Sequence, residues 1–80
     1  MPNVLKIGQY RFFFYSNEGN PLKEAHIHVR TSEGEAKVSL HEPFAVLLNA
    51  GLSAQELRKI STMVKEKQHI LLGAWHDYFA

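Results

Sequence analysis

Two stretches of strict alternation, residues 26–30 and 35–40, flank the turn-forming run Thr31-Ser32-Glu33-Gly34. A period of two sends Ile27, Val29, Ala36, Val38 and Leu40 to one face, and His26, His28, Arg30, Glu35, Lys37 and Ser39 to the other. That pattern reads as an antiparallel hairpin with one apolar face, and such a face is stable only under a second layer.

The rest of the chain supplies more strands and the layer. Residues 4–7 form a short apolar run that ends at Gly8-Gln9, and residues 10–16 are rich in aromatics, so a first hairpin with a tight loop is expected there. Asn17-Glu18-Gly19-Asn20-Pro21 is a loop signal. Ser53-Ala54-Gln55-Glu56 is a capping box, with Leu52 placed to staple onto Leu57. Beyond it Leu57, Ile60, Val64, Leu71, Trp75 and Tyr78 recur at helical spacing. Lys67 and Gln68 interrupt this stripe, and Gly73 costs about 1 kcal/mol relative to Ala in a helix interior. Residues 53–79 are therefore one long helix or two joined near residues 66–69. Residues 41–51 are broken by Pro43; their short apolar run at residues 44–48 fits a strand or one helical turn, and the segment is expected to be irregular. The expected fold is α+β: a small antiparallel sheet of three or four strands packed on a long C-terminal helix or helix pair, in a single domain over residues 1–80.

Composition narrows the functional classes. A chain of 80 residues buries only roughly 60% of its unfolded surface, so its large apolar side chains carry much of its stability. It has no cysteine, which removes thiol nucleophiles and zinc ribbons and favours a reducing compartment. With no basic, apolar leader and no apolar run near the ~20 residues of a membrane span, the expectation is a cytoplasmic protein without a membrane partner. The formal net charge of +1 argues against strong non-specific DNA binding and leaves RNA open.

His26 and His28 are the sharpest chemical feature. On a strand they project from one face about 6.6 Å apart, at 3.3 Å per residue. Such a pair can ligate a metal or serve as acid and base about a phosphodiester. A zinc site needs a third protein ligand, and nothing in the spacing selects one among Glu24, His41, His76 and Asp77, so no metal or cofactor is assigned. His41-Glu42-Pro43 opens like a metalloprotease motif but lacks the second histidine. The favoured reading is a polar sheet face whose histidines meet neighbours or solvent, so that their replacement leaves the fold intact. Should the strand faces coincide, Arg11, Phe13, Tyr15, His26, His28, Arg30 and Lys37 make an aromatic and basic binding surface suited to single-stranded bases. Trp75, Tyr78 and Phe79 belong to the core or, alternatively, to a partner or homodimer seam.

Several segments together carry a family resemblance: Ile7-Gly8-Gln9-Tyr10-Arg11-Phe12-Phe13-Phe14-Tyr15-Ser16, His26-Ile27-His28-Val29-Arg30, Gly34-Glu35-Ala36-Lys37, Gly51-Leu52-Ser53, and Ala74-Trp75-His76-Asp77-Tyr78-Phe79. The chain resembles a small bacterial domain-of-unknown-function family numbered four-one-six-zero. It departs from the family pattern at Lys23-Glu24-Ala25, where members typically carry prolines. The resemblance implies no established activity. It implies a gene arrangement in which members are often encoded beside another small protein, as in toxin–antitoxin pairs. The expected function is a non-enzymatic interaction module whose partner is a small protein encoded nearby, and the alternative is an RNA-binding protein or ribonuclease using the histidine pair.

Overall fold

A computed structural model of the chain describes residues 3–15 and 24–79. Within them the elements are β1 (Asn3–Ile7), β2 (Tyr10–Phe13), β3 (His26–Arg30), β4 (Glu35–Ser39), β5 (Val46–Ala50), α1 (Ala54–Glu66) and α2 (Gln68–Phe79). The strands form one sheet in the order β1-β2-β3-β4-β5, every pair antiparallel. The α+β class with C-terminal helices is as expected, but the sheet has five strands rather than three or four.

Local chemistry explains the turns. Ile7 faces Tyr10 across a two-residue loop whose first member, Gly8, has φ +56°. Glycine at that position is the mark of a II′ hairpin turn, which follows the twist of its strands. Between β3 and β4 the Thr31 amide donates to the Gly34 carbonyl at 2.9 Å, and the Glu33 amide donates to Thr31 Oγ1 at 3.0 Å. The Asn17–Pro21 loop signal and Ser16 lie outside the described residues.

β5 corrects the expectation that residues 41–51 are irregular. Pro43 sits in the connection rather than in an element, and the Ser39 amide donates to the Ala45 carbonyl at 2.9 Å, bringing the chain back beside β4. The Val46-Leu47-Leu48 run conceals its strand character because a bulge places Val38 opposite Val46 and Lys37 opposite Leu48, which breaks alternation. Its far end is pinned. A Cβ at Gly34 would collide with the Ala50 carbonyl oxygen, so only glycine admits this backbone approach. The Asn49 side-chain amide then donates to the Leu52 carbonyl and accepts from the Leu52 amide, both at 3.0 Å.

The core lies between one sheet face and the helices. Phe12, Phe14, Ile27, Val29, Val38 and Leu40 meet Ile60 and Val64 of α1 and Leu71 and Trp75 of α2. Ser53 is the N-cap of α1, its Oγ accepting from the Glu56 amide at 3.1 Å. The other half of the capping box is replaced: the Glu56 carboxylate accepts from the Tyr10 hydroxyl at 2.7 Å, tying α1 to β2. Two helices form rather than one. Lys67 caps α1 with φ −103°, and Gln68 donates to the Leu40 carbonyl at 2.8 Å, so the polar interruption holds the helix junction to the end of β4. Among the described residues no helix is long and apolar enough to cross a membrane.

Candidate functional site

Strand register decides which side chains share the face opposite the helices. Arg11 stands across from Arg30, Phe13 from His28, His28 from Lys37, His26 from Ser39, and Arg30 from Glu35. Directly opposed residues point to the same face. Arg11, Phe13, His26, His28, Arg30 and Lys37 therefore do share one surface, joined by Glu35.

The centre of this surface is Glu35. Its carboxylate accepts from Arg30 Nε at 3.1 Å and from Arg30 Nη2 at 2.7 Å, and from the Tyr15 hydroxyl at 3.0 Å. His28 Nδ1 stands 3.3 Å from Oε2, the oxygen that takes the Tyr15 hydroxyl at 3.0 Å, while Arg30 holds Oε1. The ring of His28 is stacked on Phe13 at 5.5 Å and meets the edges of Tyr15 at 4.5 Å and His26 at 5.5 Å. His26 turns Nδ1 to the Glu24 carbonyl at 2.9 Å; a carbonyl only accepts, so that nitrogen carries the proton. The Ser39 hydroxyl donates to the Glu24 carboxylate at 3.3 Å beside it. Burial, then the Glu35 hydrogen bond and charge, raises the Tyr15 phenol above its usual range. The Glu35 hydrogen bond likewise raises the Arg30 guanidinium.

Of the two surroundings expected for the histidines of the polar face, neighbours or solvent, the structure gives neighbours. His26 is 2% exposed and His28 5%. The face assignment holds, since Ile27 and Val29 enter the helix-covered core. Alternation tells which side a residue takes, not whether that side is wet. Phe13 is buried as well, so it offers no platform for a base, and Tyr15 is half-buried with its hydroxyl engaged by Glu35. An imidazole beside a carboxylate is the arrangement used for proton transfer, but here three rings wall it in. Clefts open against α1, beside α2 and along β1, the last reaching Lys6 and Arg11, and none of these is lined by His28 or Glu35. No group of three or more His, Cys, Asp or Glu side chains gathers as metal donors among the described residues.

The remaining candidates separate. Arg11 is exposed and Lys37 half-exposed at the margins of the cluster. Trp75, expected in the core or at a partner seam, lies in the core: it is buried against Phe14 and against the ring of His26, which reaches α2 from the end of β3. Phe79 packs on Trp75 at 4.3 Å, and of the three only Tyr78 is substantially exposed, at 43%. Sequence reasoning passed over Glu35 as a hub, although a four-residue turn between Arg30 and Glu35 was enough to place them opposite each other. It also passed over Val46, Leu47 and Leu48, whose large side chains are exposed on an edge strand.

The family model described as Domain of unknown function (DUF4160) matches residues 9–76. The chain belongs to this family. The DUF4160 match takes in the whole Glu35 cluster and β5, and leaves Lys6, Tyr78 and Phe79 outside it. No curated protein and no solved structure matches the chain.

Proposed function

We propose that this DUF4160 chain is a cytoplasmic, non-enzymatic interaction module of a toxin–antitoxin-like two-gene unit, and that its partner, the small protein encoded beside it, adds a strand to β5. The observation that supports this most is the contrast between the two sheet edges. β1 carries Lys6 and a register shift, devices that discourage pairing with another chain. β5 reads Val-Leu-Leu-Asn-Ala, without charge, with Leu47 46% and Leu48 63% exposed. An apolar edge with free backbone donors and acceptors is the template on which strand addition works: main-chain bonds give affinity and alternate side chains give specificity. Pinning at Gly34 and Asn49 holds that template in place before the partner arrives, which lowers the ordering cost of binding. The burial of His26 and His28 favours this reading over a ribonuclease, because their walled rings leave little room for a scissile phosphate.

The test is co-expression with the product of the adjacent gene. The parent chain is expected to co-purify with it, and Leu47→Lys, which places no lysine opposite Lys37, to release it while keeping the parental thermal midpoint. Retention of the partner by Leu47→Lys would move the interface away from β5. RNA cleavage by the chain alone would replace the module with the enzyme.

A further inference from the structure

The same register that assembles the Glu35 cluster also aligns cations across three strands. Lys6 of β1 stands opposite Arg11 of β2, and Arg11 opposite Arg30 of β3. Lys37 lies one row further on the same face, opposite His28. Like charges directly opposed on a sheet destabilise it, yet here three stand side by side. Glu35 neutralises only the Arg30 end of the row. Among the described residues no carboxylate pairs with Lys6, Arg11 or Lys37, and both Lys6 and Arg11 are exposed. Arg30 is fixed further by the Phe13 ring, whose centroid lies 5.6 Å from its guanidinium carbon.

We propose that the row Lys6, Arg11 and Arg30, extended by Lys37, binds the phosphodiester backbone of a single-stranded nucleic acid. Charge complementarity selects the occupant. A line of regularly spaced anions relieves the repulsion within the row, and two strand spacings of about 4.8 Å give it room to meet neighbouring phosphates. Among the described residues the face presents neither a helix nor a protruding β-ribbon to enter a duplex groove, whereas a flexible strand can follow the twist of a sheet. Because Phe13 is buried and the Tyr15 hydroxyl is engaged by Glu35, recognition runs through phosphates rather than stacked bases. Binding is therefore tolerant of sequence and steeply dependent on salt. The row of Lys6, Arg11 and Arg30 lies toward the β1 edge, whereas Lys37 adjoins Leu48 of β5, so variants at Lys6 and Arg11 separate its failure from that of the proposed protein interface.

The experiment is fluorescence anisotropy of a labelled oligouridylate titrated with the full chain over a series of salt concentrations. Neutralisation of about three phosphates gives a log–log salt slope near −2, at about 0.7 per contact on single strands. Lys6→Gln and Arg11→Gln are each expected to weaken binding and to make the slope shallower by about 0.7. Both should keep or raise the thermal midpoint, since each relieves an opposed like charge. Lys59→Gln, the same change of charge on the exposed side of α1, should alter neither affinity nor slope. No binding at the lowest salt overturns the proposal, as does equal weakening by Lys59→Gln. Polyglutamate competing as well, per charge, as unlabelled oligouridylate also overturns it, by assigning the row to an acidic protein.

Discussion

Ile27 and His28 are neighbours on β3, point to opposite faces of the sheet, and are both buried. Around Ile27 the surroundings are aliphatic and aromatic side chains brought by two helices. Around His28 they are a carboxylate, a guanidinium and three rings, one of them the Tyr15 phenol, most of them supplied by the sheet itself. One face is held by non-directional burial of apolar area, which tolerates changes of shape if volume is kept. The other is held by a polar network in which each member must find its partner, so losing one strands the rest.

Substitutions on the two faces should separate these modes. Ile27→Asp is expected to unfold the chain, since a buried carboxylate without a partner costs several kcal/mol against a total of roughly 5–15. Circular dichroism at neutral pH reads the outcome, and a folded variant would mean the helix-covered face can admit water. His28→Ala should keep the fold but lower its stability by about 1–3 kcal/mol, the cost of removing a buried polar partner. A denaturant midpoint equal to the parent's would show that the second face is a solvated surface after all.

Ser53→Ala tests the frame that carries the first face. A lost N-cap costs about 1 kcal/mol, and the Ser53 hydroxyl satisfies the Glu56 amide. An unchanged midpoint would show that Glu56, through Tyr10, fixes the start of α1 without the cap. The smallest effect contrasts one tyrosine from each face. The Glu56 hydrogen bond raises the Tyr10 phenol, and burial followed by Glu35 raises that of Tyr15. In both the folded state favours the neutral phenol. The stabilisation is thus fully present below the unfolded value of about 10 and is lost as pH rises through the folded one. Urea midpoints should fall above about pH 10 in the parent and less steeply in Tyr10→Phe and in Tyr15→Phe. An equally steep fall in the double variant would assign the alkaline loss to other groups.

Much of this was legible in the sequence. Alternation placed Ile27, Val29, Ala36, Val38 and Leu40 on the core side, and the turn at residues 31–34 fixed the hairpin. Ser53 marked the start of α1, and Lys67-Gln68 marked where two helices would join without deciding between one helix and two. The rest depended on what local pattern does not carry. β5 escaped because an exposed edge strand has no face to bury and a bulge removes its period. The fate of His26 and His28 escaped because burial of a second face depends on what packs there. The capping box was half right because Glu56 found a more distant partner in Tyr10.

The way β5 is anchored has a consequence for isotope labelling. A pinned outermost strand holds its inward amides in bonds to β4 and leaves alternate ones facing outward. In deuterium oxide these two sets should exchange in sharply different time regimes, because the outward set needs no opening of the sheet to meet solvent. The strand thus carries its own internal reference. A molecule that pairs with it will slow the fast set and leave the slow set nearly unchanged, whereas one that merely rigidifies the whole chain will slow both.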